Sequence, residues 1–130
     1  MARRWRNRYL TPIISSGQKE KGMRYFKNLY LTERAKEKKE TIIRKLEDNS
    51  IQFSVYLLLC REGERMSLEI CHAGMFLQTW YPREQVKIAG MAVGYEEALE
   101  LLVEIVEDAY QNTGNADVCS YLKAREEQGE

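Results

Sequence analysis

The sequence predicts a small α+β domain, in which helices pack on one face of an antiparallel sheet of three or four strands in the order α-β-β-β-α. Two patterns predict it: alternating apolar and polar residues over 51–72, and an amphipathic helical repeat over 95–110. The 130 residues are enough for one domain. We divide the chain into a flexible basic arm (1–18), the domain (19–125) and a frayed tail (126–130).

Two helices are predicted in the first part of the domain. The first covers residues 19–30, where Met23, Phe26 and Tyr30 recur three and four residues apart. The second begins at Thr32, a suitable N-cap, and ends near residue 48. Its narrow apolar stripe consists of Ala35, Ile42, Ile43 and Leu46.

A β-hairpin is predicted to follow. Its first strand has an apolar face made of Ile51, Phe53, Val55, Leu57 and Leu59. Its second strand runs from residue 66 to 72, after a turn around Gly63. A loop at residues 62–63 would place Leu57 opposite Leu68 and Val55 opposite Ile70.

The remaining elements follow from local signals. The aromatic-rich stretch 75–81 is predicted as a third strand that Pro82 ends, and residues 86–93 as either a fourth strand or a loop. The amphipathic helix of residues 95–110 ends before Gly114. Asp117 is expected to cap a last helical turn.

The formal net charge of zero conceals a division along the chain. Residues 1–48 contain 14 basic and 6 acidic side chains, so 14 − 6 = +8, and residues 49–130 contain 6 and 14, or −8. Arginine forks bind phosphates and aromatic rings stack on bases, so the arm is the candidate nucleic-acid or nucleoprotein site. Its residues are Arg3, Arg4, Trp5, Arg6, Arg8 and Tyr9.

The long helix carries the acidic counterpart. Its carboxylates could dock on a basic protein surface by imitating a nucleic-acid backbone, or could simply form a solvated face. These residues are Glu96, Glu97, Glu100, Glu104, Glu107 and Asp108.

No catalytic residue, metal site or cofactor is predicted. His72 is the only histidine, and its neighbour Cys71 points to the other side of a regular strand, so neither a hydrolase dyad nor a zinc site with Cys60 and Cys119 would converge. The glycines of residues 90–94 precede two glutamates, which would repel a phosphate from the helix N-terminus. We therefore expect a protein that is not an enzyme.

The expected location is the cytoplasm. The sequence has neither a signal-peptide pattern nor an apolar run long enough to span a membrane. An odd number of scattered cysteines, which is three here, is typical of a reducing compartment. All three are expected to be small buried side chains.

Two resemblances bear on function. The order helix, three strands, helix resembles double-stranded RNA-binding domains, but those carry lysines at the start of the second helix where this chain has Glu96 and Glu97. The Arg- and Tyr-rich residues 1–9, placed before a small α/β domain, resemble anti-CRISPR proteins that act on Cas9. That resemblance implies an inhibitor that contacts a nucleoprotein and its guide or DNA channel, and it transfers no individual residue.

The sequence thus predicts a non-catalytic protein that binds a nucleic acid or a nucleoprotein, such as Cas9 with its guide RNA. One alternative is a DNA- or RNA-binding accessory or regulatory protein. The other is an interaction module that forms homo-oligomers by pairing its charged halves head to tail. No membrane partner is expected.

Overall fold

The fold is described from a computed structural model that defines residues 23–61, 67–115 and 117–128. The predicted arm lies outside these residues. The elements in chain order are β1 (Tyr25–Leu31), α1 (Glu33–Glu37), α2 (Lys39–Glu47), β2 (Val55–Arg61), β3 (Ser67–His72), α3 (Ala73–Phe76), a 3₁₀ turn (Arg83–Gln85), β4 (Val86–Val93), α4 (Tyr95–Thr113) and α5 (Val118–Glu127).

The four strands form one sheet in the order β1-β4-β2-β3. The α+β class and the small sheet are confirmed, and residues 86–93 are a strand rather than a loop. The expectation of a wholly antiparallel sheet is wrong, because β1 pairs with β4 in parallel while β2 is antiparallel to both β3 and β4. The last strand in sequence therefore lies inside the sheet.

Helices cover both faces of the sheet, so the prediction of one covered face is wrong. One core lies between the sheet and α1, α2 and α3, and the other between the sheet and α4 and α5. Three consecutive residues of β2 show why: Leu57 and Leu59 belong to the first core, and Leu58 belongs to the second. A strand that is buried on both faces reads as a continuous apolar run.

The predicted first helix is instead strand β1. Tyr25 is buried in the core beneath α2, and the adjacent Phe26 is buried in the core beneath α4 and α5. Both faces of this strand carry large side chains, and the resulting density of apolar residues imitates a helical spacing. The predicted order α-β-β-β-α is wrong for this reason.

The hairpin is confirmed, but its register is wrong. Leu57 lies opposite Cys71, and Leu58 lies opposite Ile70, so the loop is longer than two residues. Residues 62–66, which join the strands, are outside the described part. The strand begins only at Val55, and Ile51 and Phe53 lie before it with exposed side chains.

The predicted third strand, residues 75–81, is also wrong. Helix α3 begins at Ala73 because the Nδ1 atom of His72 accepts a hydrogen bond from the Gly74 N–H at 2.9 Å. The chain then turns back, and Phe76 and Tyr81 pack their rings together over the first core.

The single helix predicted from Thr32 to near residue 48 is two helices, α1 and α2, because the backbone at Lys38 leaves the helical conformation; the predicted caps agree with the structure. Thr32 caps α1 through a hydrogen bond that its hydroxyl accepts from the N–H of Ala35. Gly114 ends α4 with a φ of 81°, and Asp117 caps α5. The tail predicted to begin at residue 126 overlaps α5, which extends to Glu127. None of the helices within the described ranges is long and apolar enough to cross a membrane.

Candidate binding surface on the long helix

Four glutamates form a straight, exposed row along α4. They are Glu96, Glu100, Glu104 and Glu107, which we call the carboxylate row. Steps of four, four and three residues return to the same side of a helix. No salt bridge joins any of them to another residue in the described part of the chain. Four negative charges therefore face solvent along about three turns.

The other two predicted acidic residues serve the fold instead. Glu97 accepts a hydrogen bond from Arg34 Nε at 2.9 Å, and Arg34 also donates to the carbonyl of Val93. Loss of hydration opposes ionisation of Glu97, but the hydrogen bonds from Arg34 and Thr32, the positive charge of Arg34 and the backbone at Val93 together outweigh it and lower the pKa of this carboxyl. Asp108 accepts a hydrogen bond from the hydroxyl of Tyr30. Both acids lie on the flank of α4 that faces these partners.

A row of large apolar side chains runs beside the carboxylate row. It consists of Tyr95, Leu99, Val103 and Tyr110, which we call the apolar stripe, and each member is at least 39% exposed. At roughly 100° per residue, the stripe lies about a quarter turn from the carboxylate row, and on the flank opposite Glu97 and Asp108. The buried side of α4 is a separate set: Ala98, Leu101, Ile105 and Ala109.

An aromatic cluster fixes the start of the stripe. The rings of Tyr95 and Tyr56 are 5.5 Å apart, and those of Tyr56 and His72 are 5.0 Å apart, both edge to face. His72 is held in turn by the Phe53 carbonyl, 2.8 Å from its Nε2 atom. This chain of contacts joins the first residue of the stripe to β2 and β3.

Polar contacts on the other side attach α4 and α5 to β1. Arg125 donates to the hydroxyl of Tyr30, and its guanidinium is 3.6 Å from Asp108. Burial and the hydrogen bond to Asp108 raise the pKa of Tyr30 to about 12, so the phenol stays protonated at neutral pH. Glu126 bonds both Lys87 Nζ and the main-chain N–H of Lys27. These contacts orient both helices on the sheet.

A third polar cluster lies at the end of the hairpin where residues 62–66 join β2 to β3. Arg61 makes two hydrogen bonds to Glu69, at 2.8 and 3.1 Å, and a third to the hydroxyl of Tyr81. The bonds from Arg61 lower the pKa of Glu69, whereas burial raises the pKa of the Cys71 thiol. A buried thiol with a raised pKa is a poor nucleophile. The hydrogen bonds of Arg61 join β2 to β3 and to Tyr81 in the chain before β4.

The other residues whose types could indicate a catalytic or ligand-binding site also have their polar groups engaged within the fold. Both ring nitrogens of His72 are engaged by the backbone, which leaves none for a substrate. Within the described ranges, no three His, Cys, Asp or Glu side chains are placed to hold a metal ion. An open cleft of about 520 Å³ lies between α4 and α5, and its two charged lining residues, Asp117 and Arg125, are already used as a helix cap and in an ion pair.

Cysteine pairing differs from the sequence-based expectation. Cys60 of β2 and Cys119 of α5 form a disulfide bond, and Cys71 is a free, buried thiol. All three are buried, as expected. Two of the three cysteines therefore no longer indicate a reducing compartment.

The six predicted arm residues lie outside the part of the chain that the structure describes. The apolar stripe was missed because the helical period assigns Tyr95, Leu99 and Val103 to the same apolar face as the buried residues of α4, whereas the structure leaves these three exposed. No family model matches the chain, and neither the curated proteins nor the solved structures contain a significant match to it. Function must be inferred from the surfaces themselves.

Proposed function

We propose that this chain is a non-catalytic binding protein that engages a nucleoprotein complex, with α4 on a basic protein surface and the arm on nucleic acid. The observation that supports it is the carboxylate row, whose four charges have no basic partner among the described residues. A nuclease that holds its guide and target in a positively charged channel offers a matching surface. An inhibitor of a CRISPR nuclease such as Cas9 is the most specific form of the proposal.

The two halves of the proposal use different physics. The carboxylate row would compete with phosphates for lysine and arginine side chains on the target. The arm would place Arg3, Arg4, Arg6 and Arg8 on phosphates and Trp5 on a base or a partner surface. Their combined effect is to occupy a channel that the nuclease needs for its own nucleic acid.

A cytoplasmic location belongs to the same proposal, since CRISPR nucleases act on DNA inside the cell. The Cys60–Cys119 bond can form only when both thiols are oxidised. Alkylation of the chain in intact cells before lysis would count its free thiols, three if the pair is reduced in the cytoplasm and one if it is bonded. This count is independent of the target.

The function is tested by adding the purified chain to Cas9 and guide RNA, and measuring DNA cleavage and binding. Glu100→Lys/Glu104→Lys reverses two charges of the row and is expected to abolish binding. Glu33→Lys/Glu37→Lys makes the same change on exposed residues of α1 and should leave binding intact. Equal loss in both variants, or no effect of the wild-type chain on several Cas9 types, contradicts the proposal.

A DNA- or RNA-binding accessory role gives a different result. Free nucleic acid would then bind this chain in the absence of Cas9 or any other protein. The slope of log affinity against log salt would shrink by about 0.7–0.9 for each arginine–phosphate contact removed from the arm. Under our proposal, nucleic acid alone binds weakly, and the α4 variant loses the nucleoprotein while keeping that weak binding.

A further inference from the structure

The apolar stripe and the carboxylate row together form a surface that suits a particular ligand. Leu99 and Val103 expose 39% and 53% of their area in the middle of a helix, with Glu100 and Glu104 beside them. Such a surface fits a segment that alternates large apolar side chains with arginine or lysine. A nucleic acid does not fit, since it would bring phosphates against four carboxylates.

The chain contains a segment of that composition. Residues 3–10 read Arg-Arg-Trp-Arg-Asn-Arg-Tyr-Leu, with four arginines to match the four glutamates of the row. The same eight residues include Trp5, Tyr9 and Leu10 to match the apolar stripe. We propose that in the free protein residues 3–10 bind the stripe and row on α4 of the same molecule.

The connection is long enough for this contact. Residues 11–22 span at most about 40 Å when fully extended, and about 20 Å as a flexible chain. They lead into the start of β1 at Tyr25, and the other end of this strand contacts the flank of α4 opposite the stripe through the hydrogen bond from Tyr30 to Asp108. The attachment point and the proposed site thus belong to neighbouring elements.

Tethering makes even a weak contact significant. A short flexible connection gives an effective concentration on the order of millimolar, so a segment with a millimolar dissociation constant is bound about half of the time. The contact would cover the arginines and the carboxylate row together until a target displaces them. It concerns the free protein, so it stands or falls independently of the proposed nucleoprotein target.

The sequence provides a specific probe. Trp5 and Trp80 are the two tryptophans, and Trp80 is 66% exposed, so Trp80→Phe leaves Trp5 as the single reporter at little structural cost. Emission and acrylamide quenching of Trp5 in the Trp80→Phe chain are compared with those of a synthetic peptide of residues 1–18. A docked Trp5 is expected to emit at shorter wavelength and to be quenched less than in the peptide.

Two α4 variants and one control are made in the Trp80→Phe chain. Glu100→Lys/Glu104→Lys and Leu99→Ser should each shift Trp5 to the peptide's values, and so should high salt, which screens the ion pairs. Glu33→Lys/Glu37→Lys should have no effect. Far-ultraviolet circular dichroism verifies that each variant is folded. If Leu99→Ser does not fold, Glu100→Lys/Glu104→Lys, which changes only exposed side chains, still provides the test.

The outcomes are distinct. Peptide-like quenching of Trp5 in the Trp80→Phe chain at low salt overturns the proposal, as does a protected Trp5 that the α4 changes leave protected. Protection that disappears on dilution means that the arm of a second copy binds instead, and it overturns the intramolecular contact. Protection that is independent of concentration and is lost in both α4 variants supports it.

Discussion

Replacing Gly90 by alanine is expected to destabilise the protein, because β4 passes β1 and α4 too closely for a side chain. A Cβ atom at this position would lie 2.8 Å from the carbonyl oxygen of Tyr30 and 3.2 Å from Cδ2 of Leu101. The register of β4 against β2 shifts at this point, with Leu58 opposite Gly90 and Leu59 opposite Ile88.

The two contacts differ in how easily they give way. Leu101 can rotate, but the Tyr30 oxygen belongs to the backbone of a paired strand, so β1 itself would have to move by several tenths of an ångström. Forcing an extra carbon into a packed site costs about 1–3 kcal/mol. For a domain of this size, that corresponds to a melting temperature lower by roughly 4–12 °C.

The free energy of unfolding is measured by urea titration followed by circular dichroism, for Gly90→Ala, Leu101→Ala and the double variant. If the backbone contact dominates, the two losses add within about 0.5 kcal/mol, because shortening Leu101 leaves the Tyr30 oxygen in place. A loss below about 0.5 kcal/mol in Gly90→Ala, or its rescue by Leu101→Ala, would refute the close approach of β1 described above.

Three further changes test other parts of the fold. Glu47→Gln should stabilise the chain at neutral pH, because burial raises the pKa of Glu47 above 4.5 despite the Tyr25 hydrogen bond. The Glu47 carboxyl therefore costs stability as pH rises through its folded pKa, and the glutamine does not. Between pH 4 and pH 7, the urea midpoint should fall further in the wild type than in the variant. Reducing the Cys60–Cys119 bond should cost about 2–4 kcal/mol, and a dithiothreitol effect on melting that persists in Cys119→Ser would contradict this. Tyr30→Phe should cost about 1–3 kcal/mol in urea titration by leaving polar partners unpaired, and an unchanged midpoint would contradict that.

Local signals predicted the elements whose boundaries are set locally. Thr32, Gly114 and Asp117 each mark a helix end through a contact with nearby residues, and all three were identified from the sequence. Strand β1 was missed because only its partner β4, about sixty residues later, makes it a strand. Helix α3 was missed because its cap is His72, a residue type that seldom signals a helix start.

The candidate site divides in the same way. The carboxylate row is a local periodicity, so its four residues could be identified on one helix from the sequence. Glu97 pairs with Arg34, which lies 63 positions earlier in the chain. The local sequence pattern therefore does not distinguish Glu97 from Glu96. The limit of the buried face of α4 depends on which of its residues pack in the second core, and the helical period alone does not show this.

The position of β4 inside the sheet has a consequence for how the chain is made. A ribosome releases β1 first, yet β1 can complete its ladder only after residues 86–93 have emerged and paired with β2. Until then, Tyr25 and Phe26 lack their strand neighbour, and the nascent chain exposes an unpaired edge to its surroundings. Within the sheet, β2 and β3 are the pair that can form earliest, and completion of the sheet awaits β4.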